Sequence, residues 1–255
     1  MIIQSRSGEC ISSIERTSNT LEKKYVSNTE AVCNDNSRAT FYITSGLGSS
    51  KKWIVFFESG GFCGSFEDCN KRYINKNSTV LMTSTMLPAK VTGRDLLSAS
   101  KSENPTFSEH VHVLVPYCSS DLWLGSKSNP KEPFHFVNDS SVDNFSFRGQ
   151  TIFRSVFLDL LQRYNLSNAE EIVISGSSAG GIGVLNHADW VLNHIIKSRG
   201  LNTKLFSIVD SGWFINFQGS LHGRVRPGFA SFANVTSPAC VDTRVVTLVA
   251  HQRHA

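Results

Sequence analysis

The sequence predicts an α/β protein: a mostly parallel sheet with helices on both faces. Three observations carry this. Short runs of β-branched and aromatic residues without polar alternation, such as Trp53–Phe57, fit strands buried on both faces. Two stretches, beginning near Gln150 and Gly180, place apolar residues at three- and four-residue spacing. These stretches alternate with further short apolar runs, the order that strand–helix–strand crossovers impose.

Residues 1–38 are polar, rich in Ser, Thr and Asn, and read as an irregular N-terminal arm. Ala39–Thr44 is the first strand, Gly46–Ser50 a turn, and Trp53–Phe57 a second strand stopped by Glu58-Ser59-Gly60-Gly61. A long polar region from Asn70 to Glu109 precedes a third strand, His110–Pro116, which its own proline breaks. Residues 119–147 read as loop. Ile152, Phe153, Val156, Phe157, Leu160 and Leu161 form one helical stripe before Asn165, and Glu171–Ser175 is a strand. Val184, Leu185, Ala188, Val191, Leu192, Ile195 and Ile196 repeat the stripe up to Gly200, and Leu205–Val209 is the next strand.

At 255 residues, 40% hydrophobic and 18% charged, the chain can bury a sizeable core in one domain. No apolar run approaches the roughly 18 residues of a membrane span. A net charge of +4, without strong clustering of either sign, proposes neither nucleic acid nor an acidic membrane as partner. No His, Cys or Asp cluster has zinc spacing and no glycine-rich nucleotide fingerprint occurs, so neither metal nor cofactor is expected.

Compartment is read from cysteines and asparagines. The 6 cysteines are Cys10, Cys33, Cys63, Cys69, Cys118 and Cys240. Cys63 and Cys69 flank a short loop that a bridge could close, although irregular spacing of this kind also occurs in reduced enzymes. Asn-x-Ser/Thr sequons at Asn77, Asn138, Asn144, Asn165 and Asn234 suit a glycosylated extracellular protein. Met1–Arg6 has neither the basic start nor the apolar stretch of a signal peptide. Either the start is missing or this form stays in the cell.

The sharpest chemical signal is Gly176-Ser177-Ser178-Ala179-Gly180-Gly181, a Gly-x-Ser-x-Gly between a buried strand and an amphipathic helix. In that setting a tight turn lifts the Ser178 hydroxyl clear of the sheet, and small residues two before and two after it avoid collision. The competing readings are a plain Ser/Gly-rich turn and a phosphate held at a helix N-terminus. An ester hydrolase also needs donors for the developing oxyanion. The amides of Gly60 and Gly61, directly after a buried strand, are nominated alongside that of Ala179. Glu58 could orient this loop and receives no catalytic role.

Five segments then carry a family resemblance: Phe57-Glu58-Ser59-Gly60-Gly61-Phe62-Cys63, Pro116-Tyr117-Cys118-Ser119-Ser120-Asp121-Leu122-Trp123, Phe147-Arg148-Gly149, Gly176–Gly181 and Asp210-Ser211-Gly212-Trp213-Phe214. In this order the chain resembles the pectin acetylesterase and Notum family of α/β-hydrolase esterases. The Trp-containing segments look more like its Notum branch, secreted carboxylesterases that remove palmitoleate from Wnt proteins. The resemblance implies a serine carboxylesterase with Ser178 as nucleophile, Gly60, Gly61 and Ala179 as oxyanion hole, Phe214 in the acyl pocket, and an extracellular location. The implied partner is an acylated, Wnt-like protein or, alternatively, an acetylated glycan.

Two departures accompany it. Phe62 follows the paired glycines where the Notum branch has tryptophan, which bears on acyl length. After Thr243 the resemblance stops, whereas the family continues through a long stretch holding its triad Asp and His. The expected organisation is therefore an arm (1–38), a hydrolase core incomplete at its C-terminal side (39–243) and an unrelated tail (244–255), with an exposed apolar edge strand and poor solubility. Order alone nominates Ser178, Asp210 and His251 as a local triad, Arg244–Ala250 reading as a strand before the histidine. His187 and His194 are expected on a solvated or half-buried helix face. The alternative function is a catalytically inactive form serving as a binding module.

Overall fold

The computed structural model describes residues 19–45, 50–128 and 145–212. In them seven strands make one sheet: β1 (Thr20–Tyr25), β2 (Thr40–Thr44), β3 (Lys52–Phe57), β4 (Lys90–Thr92), β5 (Val111–Val115), β6 (Glu171–Ser177) and β7 (Lys204–Asp210). Their spatial order is β4-β1-β2-β5-β3-β6-β7. β5, β3, β6 and β7 are mutually parallel, whereas β2 runs antiparallel to β5, and β1 antiparallel to β2 and β4. The parallel half is where helices supply the crossovers that parallel neighbours need.

β3 shows why the apolar runs lack polar alternation. Trp53, Val55 and Phe57 point into the main core, while Ile54 and Phe56 belong to a second cluster with Leu21, Tyr42, Leu97 and Val173. The main core is closed by α2 (Gly149–Arg163) and α3 (Ala179–Trp190), the latter prolonged by a π-helical turn over Val191–Ile196. Phe57 stacks on Phe153 with ring centroids 4.0 Å apart, and Ile152, Val156, Phe157 and Leu160 are buried, as their spacing predicts. Among the described residues the opposite face is covered by chain between Leu87 and Phe107. Leu185, assigned to the α3 stripe, is exposed, because Val184 and Ala188 take the inward arc of the helix.

Three elements depart from the sequence reading. β1 lies inside the stretch read as an irregular arm; of its six residues only Leu21 is buried, so alternation is nearly absent. β4 spans three residues, too few for any period. The segment after Cys63 forms α1 (Phe66–Ile74), whose single buried residue is Cys69. Its start was nevertheless legible: Ser65 accepts the Asp68 amide at 3.2 Å, the Ser-x-x-Asp cap, and Glu67 pairs with Lys71 one turn on.

Among the described residues two disulfides brace the frame. Cys63–Cys69 is the bridge that proximity suggests. Cys33–Cys118 joins residues 85 apart and fixes the chain leaving β5, where the Asn34 side-chain amide also donates to the Ser119 and Ser146 carbonyls at 2.8 and 2.7 Å. A crosslink over so long a loop contributes about 4.6 kcal/mol in the chain-entropy account. Asn77 and Asn165 are exposed. Among the described residues no helix is long and apolar enough to cross a membrane. Gly46–Ser49, Cys10, Cys240, Asn138, Asn144, Asn234 and residues 244–255 lie outside the described residues.

Candidate active site

Ser178 sits between the end of β6 and the start of α3 at φ 51, ψ −112, a backbone conformation that a residue with a Cβ occupies only under constraint. The constraint is visible. Its amide donates to the Asp210 carbonyl at 2.8 Å and its carbonyl accepts the Ile182 amide at 3.0 Å, so both sides of the turn are tied. A Cβ on Gly176 would collide with the Gly180 backbone, and one on Gly180 with the Phe57 carbonyl, lying also 2.9 Å from the Glu58 oxygen. A Cβ on Gly212 would come within 2.7 Å of the Gly181 carbonyl carbon. The glycines around Ser178 are therefore demanded by close backbone approach on two sides.

Strand register levels the neighbouring elements. Phe57 of β3 lies opposite Gly176, and Ser177 opposite Asp210, so the carboxyl ends of β3, β6 and β7 open together. β3 and β6 flank the point where chain order diverges, the place where open α/β sheets bind ligands. The Phe57 carbonyl abutting Gly180 leads at once into Ser59-Gly60-Gly61, of which Ser59 and Gly61 are exposed. Gly61 has φ 67. Among the described residues the Gly60 and Gly61 amides make no main-chain hydrogen bond, and the Ala179 amide, first in α3, has no acceptor within its own helix. Three donors and one hydroxyl thus gather at one end of the sheet, beside the positive end of a helix.

A buried knot supports this end. Asp121 is fully buried, and its carboxylate accepts the Ser119 hydroxyl (2.6 Å) and the amides of Trp123 (3.0 Å), Gly125 (3.2 Å) and Gly149 (2.7 Å). Burial pushes its pKa up to about 6, against the pull of those donors. The loop it holds has Ser120, Leu122 and Trp123 at φ 50, 60 and 64. Gly149 is obligatory because a Cβ there would run into Asp121 and lie 2.6 Å from the Trp123 Cα. Trp123 packs edge-on to Phe57 at 5.2 Å, donates its indole N–H to the Glu58 carbonyl at 3.1 Å, and sits where a Cβ on Gly183 of α3 would be 2.7 Å from its own.

Of the residues nominated from sequence, Ser178, Ala179, Gly60 and Gly61 lie at this one end. Asp210 lies there too: its main chain anchors the Ser178 amide, while its carboxylate accepts the Ser211 hydroxyl at 3.0 Å. Phe214 and His251 lie outside the described residues. His194 is exposed as expected, with Nδ1 3.2 Å from the Trp190 carbonyl. His187 corrects the expectation: it is buried, its Nε2 donating to the Trp123 carbonyl at 2.8 Å beneath Phe153. One turn after Val184 it faces the core, and the carbonyl satisfies it there. Neither histidine is hydrogen-bonded to Ser178. Among the described residues no three His, Cys, Asp or Glu side chains converge as a metal site.

Burial lowers the pKa of His187 to about 4, so the folded protein favours neutral imidazole. With an unfolded value near 6.5, this group contributes about 3 kcal/mol that is present above pH 6.5 and lost as pH falls toward 4. A His187→Gln variant should therefore lose about 3 kcal/mol less than the parent between pH 7 and pH 4. Urea titrations of both proteins at the two pH values check this.

In the sequence Tyr117, Asp121 and Trp123 stand out only as part of a pattern, and Arg72 carries no signal of its own. Their signal is the pattern's composition: an acid preceded by two serines, after a strand, with aromatics two positions after and four before it.

The pectinacetylesterase family model matches residues 14–239. The chain is 35% identical over 192 residues to palmitoleoyl-protein carboxylesterase notum1a of Danio rerio, an alignment covering 75% of this chain and 36% of that protein. To palmitoleoyl-protein carboxylesterase NOTUM of Homo sapiens it is 36% identical over 189 residues, covering 74% and 35%. The chain thus spans little more than a third of the length of these relatives. Among solved structures, that of the Wnt deacylase Notum from Drosophila superposes with a TM-score of 0.75 at 31% identity, covering 86% of this chain and 62% of that one.

Proposed function

The chain belongs to the pectinacetylesterase family and has its α/β-hydrolase fold, and from that premise we propose that it forms the nucleophile half of a serine carboxylesterase. The observation that carries the proposal is Ser178, held at positive φ at the carboxyl end of the sheet beside the paired glycines. Its Oγ attacks an ester carbonyl carbon, and the carbonyl oxygen becomes an oxyanion facing the amides of Gly60, Gly61 and Ala179. Collapse breaks the bond to the alcohol oxygen, which leaves with a proton. Water then attacks the acyl-enzyme, releasing the carboxylic acid and restoring the serine. The Ser178 proton passes to a general base. His187 and His194 are committed to carbonyls, and the local pair nominated from sequence, Asp210 with His251, keeps its histidine outside the described residues.

The proposed substrate is a long-chain O-acyl ester on a Wnt-type protein, supported by the likeness to proteins named palmitoleoyl-protein carboxylesterase and Wnt deacylase. Phe62 lies half-buried against the cluster of Cys63, Cys69, Met82, Phe145 and Phe147. The test is an acyl series: p-nitrophenyl acetate, butyrate and octanoate, with a palmitoleoylated serine peptide. A kcat/KM that rises with chain length, together with deacylation of the peptide, is expected. An acetate optimum would replace this substrate by an acetylated glycan. We place the protein outside the cell, on the strength of the two disulfides among the described residues and the exposed sequons Asn77 and Asn165.

A further inference from the structure

The paired glycines are held by side chains that no catalytic step uses. The Gly60 carbonyl accepts from Arg72 Nη2 at 2.5 Å, and the Gly61 carbonyl accepts from the Tyr117 hydroxyl at 2.8 Å. That hydroxyl is itself fixed, because it accepts the Leu122 amide at 2.7 Å. The Tyr117 ring also occupies the space a Cβ on Gly60 would need. In a trans peptide the N–H points opposite to the C=O of the same plane. Pinning the Gly60 carbonyl therefore aims the Gly61 amide away from Arg72, and pinning the Gly61 carbonyl does the same for the Phe62 amide. At φ 67, and open to solvent, Gly61 has no intrinsic preference that would hold these planes unaided.

Arg72 is a costly choice for a merely structural prop. Burial disfavours its charge, its Nε is buried without a partner, and only the more distant Asp68 carboxylate offsets part of that penalty. It lies one turn after Cys69 on α1, and the Cys63–Cys69 disulfide ties that helix to the segment following the glycines. A half-buried cation beside the loop favours negative charge where the oxyanion develops.

We infer that Arg72 and Tyr117 are positioning residues: Arg72 sets the direction of the Gly61 oxyanion-hole amide through the Gly60 carbonyl, and Tyr117 fixes the adjoining Gly61–Phe62 peptide plane through the Gly61 carbonyl. This rests on the reading of the Gly61 amide as an oxyanion donor. Loss of a donor at such a site costs roughly 100- to 1,000-fold in kcat, so a misdirected one should cost roughly 10- to 100-fold.

The test measures kcat and KM for p-nitrophenyl butyrate in Arg72→Met, Arg72→Lys, Tyr117→Phe and Ser178→Ala. In parallel, NMR follows the backbone order parameters of the Gly61 and Phe62 amides in the unsubstituted chain and the first three variants, with thermal melts to confirm that each folds. The expected result is a kcat roughly 10- to 100-fold lower in Arg72→Met and Tyr117→Phe, KM within about twofold, partial recovery in Arg72→Lys, and lowered order parameters confined to the loop. Unchanged kcat and unchanged order parameters in folded variants overturn the inference while Ser178-dependent hydrolysis stands. If Ser178→Ala hydrolyses the ester as fast as the parent, it is the esterase reading that falls. The order parameters of Gly61 and Phe62 then decide positioning alone, and unaltered values reject it.

Discussion

Ser178→Ala is expected to lower kcat for p-nitrophenyl esters by roughly four to six orders of magnitude while leaving the fold intact. Only the Oγ is lost, the atom that the proposed reaction uses as nucleophile. The main chain of Ser178 does the structural work, through the Asp210 carbonyl and the Ile182 amide, and alanine keeps both bonds. A companion variant sharpens the point. At φ 51, ψ −112 glycine is unstrained, so Ser178→Gly should lose the same activity yet gain about 1 kcal/mol in urea unfolding. Equal hydrolysis by parent and alanine variant would overturn the esterase reading and leave a non-catalytic binding role for the same surface.

Much of this arrangement was legible in the sequence because it follows from crowding. Gly176, Ser178 and Gly180 stand where a strand, a turn and a helix pass within van der Waals distance, and only small residues at that spacing allow it. The buried strands were legible for a similar reason: β3 is apolar on both faces because cores lie on both sides. What escaped was structure whose cause lies far away in the chain. β1 has one buried residue, and its pairing with β2 and β4 carries it. Cys33 meets Cys118 across 85 residues, and Asn34 finds carbonyls at Ser119 and Ser146. Arg72 looks like any helical surface cation until Gly60 is placed beneath it. Local pattern cannot supply such pairings, since they depend on which loops the sheet order brings to one end.

Asp121→Ala is expected to destabilise the protein by about 4 kcal/mol, more than a typical buried contact, because it orphans several donors at once. The amides of Trp123, Gly125 and Gly149 point at the missing carboxylate, each unsatisfied donor costing about 1–3 kcal/mol, partly offset because a buried charge is no longer needed. The loss would also release Ser120, Leu122 and Trp123 from positive φ, and with them the indole that braces Glu58 and α3. Titration separates this role from bulk packing. Because burial raises the Asp121 pKa to about 6, its contribution is full below the unfolded value near 3.9 and is lost as pH rises through 6. Acidification from pH 7 to 4 therefore gains about 2 kcal/mol from Asp121 while losing about 3 kcal/mol from His187. The two largely offset each other in the parent. In Asp121→Asn, which has no ionisation of its own at this position, the His187 loss stands uncovered, so the variant should fall in stability more steeply than the parent over that interval. Urea unfolding of Asp121→Ala at pH 7 and of Asp121→Asn at pH 4 and 7 measures both effects. A cost below about 1 kcal/mol for the alanine variant would mean that water takes the carboxylate's place among the three amides, and the knot would then be a consequence of the loop rather than its cause.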